Sequence, residues 1–144
     1  MELQMTAISH LPTLLASMQP VLGADRFVFC ALPAGDWAHV AALDPVAVVR
    51  EVEAMTVVVS LATAQAHGLT TSPAMRRITL GVHSDLEAVG LTAAFATALA
   101  EAGISANVVA GYYHDHIFVP DRQAKEAMRA LEALQVQAVH GTTS

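Results

Sequence analysis

Apolar positions recur along this chain with two different periods, and the switches between them mark out its elements. Ile8, Leu11, Leu14, Leu15 and Met18 keep helical spacing, which predicts a helix over about residues 10–18, capped by Ser9, with Pro12 tolerated in its first turn and Pro20 ending it. "RFVFCAL" (residues 26–32) is rich in strand formers, "PAGD" is turn chemistry, and "WAHVAAL" (residues 37–43) alternates weakly, so a second strand is expected there. In residues 44–60, Asp44 and Pro45 resemble a helix start, but Val46, Val48, Val49 and Val57 to Val59 favour two strands. A short helix over residues 61–67 should stop at Gly68, and "GLTTSP" (residues 68–73) is the best candidate linker.

The second half is more regular. "RITLGVH" (residues 77–83) predicts a strand, and "SDLE" after it has the form of a capping box, in which Ser84 and Glu87 satisfy each other's amides at a helix start. Leu91, Phe95, Ala98 and Ala102 carry that helix to Gly103. "ISANVVAGYY" and "HIFVP" then predict two strands, and Asp121 should cap a last helix that turns Ala124, Met128, Leu131 and Leu134 inward and Lys125, Glu126, Arg129 and Glu132 outward. "VQAV" (residues 136–139) is expected to close the unit as a fourth strand. The order strand-helix-strand-strand-helix-strand over residues 77–139 is the split βαβ pattern, an antiparallel sheet with both helices on one face.

Composition narrows the function. Of 144 residues 54% are hydrophobic and only 14% charged, so some apolar faces should be covered by another domain or subunit, and an oligomer, most simply a homodimer, is expected. Thirteen acidic against seven basic residues give a net charge of −6, with no basic cluster beyond Arg76 and Arg77, which argues against nucleic acid. The single cysteine, Cys30, lies in an apolar run and reads as a buried thiol, and no signal peptide is visible before Arg26. A cytoplasmic protein is therefore expected. The most apolar segment, residues 88–111, is interrupted by Glu101 and Gly103, and a central carboxylate costs roughly 2.5 to 3.5 kcal/mol in a bilayer helix, so no membrane span is expected.

Candidate chemistry is sparse. "GYYHDHIFVP" (residues 111–120) holds His114 and His116 beside Asp115, the letters of a metal site, but a third ligand is missing and His10, His39, His67, His83 and His140 show no ligand spacing. The alternative, in which His114 and Asp115 form the two-residue connection of a hairpin, accounts for every residue. No glycine-rich phosphate loop is present, since Gly81 and Gly90 are far apart and no lysine follows, so no nucleotide or other cofactor is expected. Ser84 and Asp85 can serve as a helix cap, or, with the free amides of a helix start, as a site for a small zwitterion.

The stretch "LEAVGLTAAFATALAEAGISANVVAGYYHDHIFVP" (residues 86–120) resembles the small bacterial tandem ACT-domain proteins, a family without an assigned biochemical role, and "FVFCAL" and "VVREVEAMTVVV" are similar to its less regular N-terminal unit. The family pattern leads one to expect a glycine turn near Val52 to Thr56, where this chain has Ala54. The resemblance implies an α+β fold of two ferredoxin-like (βαββαβ) ACT-type units, residues 1–72 and 73–144, with antiparallel sheets, helices on one face and an irregular N-terminal unit.

It also implies a regulatory or sensor module without catalytic activity of its own. Such a module would bind an amino-acid-like ligand between paired units and regulate an enzyme assembled with it. The expected ligand contacts are Ser84, Asp85, Leu86, Glu87 and Val89 on the strand-to-helix turn. The resemblance places Asn107 across from that turn, and Arg50 and Trp37 are expected from the paired module. A small metal-dependent enzyme built on Tyr112, Tyr113, His114, Asp115 and His116, or a purely structural partner subunit, are the alternatives.

Overall fold

A computed structural model describes residues 7–141. Contacts divide them into two compact units, one of residues 24–76 and one of residues 77–141 together with residues 7–23 from the start of the chain.

In the first unit, β1 (Pro20–Leu32) contributes its residues from Ala24 onward, followed by α2 (Trp37–Leu43), β2 (Ala47–Arg50), β3 (Met55–Ser60) and α3 (Leu61–Ala66). Its strands lie in the order β2-β3-β1. Both pairings are antiparallel, Phe27 opposite Ser60 through Leu32 opposite Met55, and Ala47 opposite Val58 through Arg50 opposite Met55. Period-two alternation sends Val28, Cys30 and Leu32 of β1 and Met55, Val57 and Val59 of β3 to one face, where Val40 and Leu43 of α2 and Ala64 of α3 cover them. Burial raises the pKa of the Cys30 thiol.

The segment "WAHVAAL" is helix α2 and not the strand its weak alternation predicts. Asp36 accepts from the His39 amide at 3.2 Å and so caps the helix start. Asp44 closes the end in the left-handed region (φ 47°), and the spacing of Val40 and Leu43 is as compatible with period 3.6 as with period 2. The two strands expected in residues 44–60 are present. Their connection needs no glycine, because a four-residue turn with Glu51 N–H donating to the Ala54 carbonyl at 2.9 Å closes the hairpin, and neither residue has positive φ. Residues 68–73, the expected linker, are irregular but fastened, since the Ser72 amide donates to the Phe29 carbonyl at 3.0 Å and the Ser72 Oγ accepts from the Phe29 amide at 2.9 Å.

The second unit contains α1 (Leu11–Ala16), β4 (Met75–Leu80) from Arg77 onward, α4 (Leu91–Glu101), β5 (Asn107–Ala110), β6 (Asp115–Pro120) and, after one 3-10 turn (Asp121–Gln123), α5 (Ala124–Gly141). Its strands run β4-β6-β5, with residues 20–23 of β1 on the other side of β4. "VQAV" continues α5 as helix, so it is not the fourth strand; that place belongs to residues 20–23, which local pattern alone cannot assign. The helix α1 caps differently from expectation: its N-cap is His10, whose carbonyl accepts from Leu14 N–H at 2.9 Å and whose Nδ1 meets the Thr13 hydroxyl at 2.9 Å. Leu14, Met18, Ile78, Leu80, Phe95, Leu99, Ile117 and Leu131 are fully buried in this core, each contributing roughly 1.5 to 3 kcal/mol by leaving water.

Helix α4 begins at Leu91, with Gly90 as its N-cap, and not at Ser84. Ser84 instead pairs with Ile8 in a parallel bridge: Ile8 N–H donates to the His83 carbonyl at 2.8 Å and Asp85 N–H donates to the Ile8 carbonyl at 2.9 Å. Further along, Gly81 N–H donates to the Gln19 carbonyl at 3.0 Å. Residues 8–19 thus pin the loop of residues 81–90 in place. Gly90 takes φ 102°, and a Cβ there would stand 2.9 Å from Leu11 Cδ2, so the turn into α4 requires glycine.

Candidate functional site

The two hairpins, β2-β3 and β5-β6, are copies of one another 60 residues apart. Ala47 opposite Val58 through Arg50 opposite Met55 is repeated as Asn107 opposite Phe118 through Ala110 opposite Asp115. The returning strands share the same alternation of buried and half-buried positions, and Gly111 N–H donates to the His114 carbonyl at 2.9 Å as Glu51 does to Ala54. The hairpin tip is therefore Tyr112 and Tyr113. His114 and Asp115, expected as a two-residue connection, lie beyond it, and Asp115 opens β6.

Against this repeat one substitution stands out. Met55 opens β3 with its side chain in the core, 1% exposed; Asp115 opens β6 at the same place and is 8% exposed. A carboxylate carried inward on a strand face otherwise occupied by Ile117 and Val119 loses hydration that few contacts return. Ser84 Oγ donates to Asp115 Oδ2 at 3.4 Å. Loss of solvent raises the Asp115 pKa, an effect the Ser84 hydrogen bond and the nearby His116 and His114 partly oppose.

The loop between strand and first helix also differs between the units. In the first unit it is residues 33–36; in the second it is the longer residues 81–90, which pass over the start of β6. Asp85 folds this loop on itself, its Oδ1 accepting from the Glu87 amide at 2.9 Å and its carbonyl from Ala88 N–H at 2.9 Å. Two adjoining cavities result. An open cleft of about 360 Å³ is lined by Ala7, His83, Ser84, Asp85, Leu86 and Tyr112. A smaller one of about 90 Å³ shares Ser84, Asp85 and Leu86 and reaches in to Thr92, Ala110 and Asp115.

Histidines and tyrosines brace the rim. The His114 Nδ1 lies 3.3 Å from the Val82 carbonyl, which accepts only, so Nδ1 carries the proton and donates. His116 Nδ1 meets the Thr79 hydroxyl at 2.9 Å, and its pKa is lowered, first by burial and then by Arg77 and His114, against the pull of Asp115. The rings of His83 and Tyr113 lie 5.3 Å apart and those of Tyr112 and Tyr113 5.0 Å apart. A Cβ on Gly111 would stand 2.9 Å from the His114 carbonyl oxygen and 3.3 Å from His116 Nε2, so the turn packs closely on these histidines. Both are structural braces here. Among the described residues no group of three His, Cys, Asp or Glu side chains is arranged to hold a metal ion.

Of the residues expected from sequence, Ser84, Asp85 and Leu86 come together around the cleft. Glu87 and Val89 belong to the same loop, but Glu87 lends its amide to Asp85, and Val89 is 84% exposed. The amides of Glu87 and Ala88 are taken by Asp85, so the row of free helix-start amides expected after Ser84 is absent. Asn107 stands at the far end of β5 from Ala110, its Nδ2 donating to the Phe118 carbonyl at 3.5 Å. In the first unit, Arg50 ends β2 and Trp37 opens α2 with half its surface exposed. His83, and Tyr112 and Asp115, which the sequence placed only in the metal alternative, also line these cavities. Laying the chain on itself at the 60-residue offset would have flagged Asp115, since it sets that carboxyl against Met55.

Comparison with known proteins fits this architecture. Residues 6–76 and residues 73–133 each match a model of the ACT domain. A Vibrio cholerae protein of unknown function, described as a possible transport protein, is 51% identical, with a TM-score of 0.80 over 87% of this chain and 95% of that one. A protein from Agrobacterium tumefaciens shares 14% identity at a TM-score of 0.67, over 81% of this chain and 88% of that one. The regulatory subunit of aspartate kinase from Thermus flavus shares 13% at 0.59, over 81% and 96%. These last two likenesses are of fold. No curated protein matches the sequence. The chain belongs to the ACT-domain family and consists of two ACT domains in tandem.

Proposed function

We propose that this chain is a non-catalytic regulatory or sensor module that binds a small amino-acid-like ligand in the cleft over residues 83–86. The observation that carries the reading is the cleft itself, about 360 Å³ on a strand-to-helix loop, with Ser84 and Asp85 offering polar contacts and Leu86 and Tyr112 an apolar wall. ACT domains are typically regulatory ligand-binding modules, and the similarity in fold to a regulatory subunit of aspartate kinase supports the same kind of role. A homodimer in the cytoplasm, acting on an enzyme it assembles with, is the setting that suits it. Exposed Val48, Val49 and Val52 on the β2 hairpin and Val136 and Val139 on α5 provide apolar surface for such assembly. No helix among the described residues is long and apolar enough to cross a membrane.

A thermal-shift screen against the twenty amino acids tests the reading. A ligand held at about 100 times its dissociation constant adds roughly 2.7 kcal/mol to the folded state, which should appear as a concentration-dependent rise in melting temperature. A flat response to all twenty, and to their close derivatives, would sink it.

A further inference from the structure

The strongest unexplained feature of the second unit is the Asp115 carboxylate. It is more than nine-tenths buried, and among the described residues its side chain has one hydrogen bond, from Ser84 at 3.4 Å. Buried carboxylates normally collect several donors or a cation. The fold does not call for a polar group there, because the first unit builds the same hairpin with Met55. The carboxylate lines a cavity of about 90 Å³ that shares Ser84, Asp85 and Leu86 with the larger cleft. At a water's share of liquid of roughly 30 Å³, that space suits a head group of a few atoms.

The charge around the two cavities is one-sided. Asp85 and Asp115 line them, and neither lining includes a lysine or arginine. A ligand's ammonium would meet two carboxylates and the Ser84 hydroxyl, whereas its carboxylate would find no counter-charge and two like charges. Of the other lining groups, His83, Leu86 and Tyr112 offer an organic body flat rings and an apolar side chain.

We infer that the site selects a small primary amine, seated with its ammonium between Asp115, Ser84 and Asp85, and that it takes amino-acid amides in preference to the free amino acids. This rests on the cleft being the ligand site proposed above. His116 and His114 act on Asp115 as charged neighbours and Arg77 acts on His116, so a proton on His116 opposes the ammonium and the amine binds best where that imidazole is neutral.

The test is a calorimetric and thermal-shift comparison, at pH 7.5, of each amino acid with its primary amide, on the parent protein, Asp115→Asn and Asp115→Met. The last variant copies the first unit and keeps the question answerable if Asp115→Asn fails to fold. At least one amide should bind ten-fold or more tightly than its parent acid, and both variants should fold and lose at least ten-fold in affinity for it. A free acid that binds as tightly as its amide, or variants that bind like the parent, would overturn the ammonium seat and leave the amino-acid reading standing. A panel in which neither acids nor amides bind removes both.

Discussion

Gln135 on α5 holds both sides of the bend between α1 and β1: its Nε2 donates to the Ala16 carbonyl at 3.1 Å and its Oε1 accepts from the Gln19 amide at 2.9 Å. Gln19 sits there with a positive φ of 49°, a conformation that neighbours must hold in place. Gln135→Leu keeps the bulk and deletes both bonds, and should cost about 1 kcal/mol, read as a lower urea midpoint at unchanged m. An unchanged midpoint would mean that water replaces the side chain without loss.

Gly90→Ala should destabilise more than Gly35→Ala. Both glycines have positive φ, 102° and 82°, but a Cβ at position 90 meets Leu11 whereas one at position 35 meets nothing within 4 Å. Backbone strain of about 1 kcal/mol is common to both, and the shift forced on Leu11 is added only at position 90. Equal melting temperatures for the two variants would contradict the packing of α1 against the turn.

The pH dependence of Asp115→Asn follows from a raised carboxyl pKa. The folded protein binds the Asp115 proton more tightly than the unfolded chain does, so the stability tied to that proton is complete below the ordinary carboxylate value and is lost as pH rises through the raised one. The parent should therefore gain on the variant as pH is lowered from 7 toward 4. His116 works the other way: its pKa lies below 6.5 in the folded state, so its contribution is lost as pH falls below that value. That loss occurs in parent and variant alike and largely cancels in their difference. Urea melts of both proteins at several pH values decide the point; a difference constant with pH would refute the burial of the carboxyl.

Asp36→Ala should cost about 0.5 to 2 kcal/mol by uncapping α2. A helix of seven residues, Trp37 to Leu43, has little stability beyond its cap and the burial of Val40 and Leu43. Circular dichroism combined with a urea melt measures both the lost helix and its energetic effect.

Where a segment's partners are near in sequence, pattern sufficed. Both hairpins, strand β4, the body of α4 and the inward face of α5 were legible, because alternation and 3.6-residue spacing are imposed locally by the layer each covers. "WAHVAAL" was not, since seven mostly small apolar residues satisfy either period and the deciding contact is the Asp36 carboxylate on the His39 amide. "SDLE" has the letters of a capping box, but the helix waits for Gly90 because residues 83–85 are drawn into a bridge with Ile8, a partner more than seventy positions away. Ser84, Asp85 and Leu86, which line the proposed cleft, were legible as a group because a strand-to-helix loop is visible in sequence. Asp115 was hidden by its neighbours: in "YYHDH" an aspartate looks like turn chemistry, and only the hairpin register makes it the first residue of the strand.

The ownership of β1 has a consequence for how this protein is made. Residues 7–23 emerge from the ribosome before the other described residues, yet the surfaces they cover, on β4, α4 and α5, are synthesised only after the first unit. The first unit has all of its strands within residues 24–76 and can close early, while Leu14 and Met18 wait with their apolar faces uncovered until α5 arrives. Chain elongation at about 5 to 20 residues per second makes that wait several seconds long, during which an early apolar helix is open to chaperones or to the matching segment of a neighbouring nascent chain.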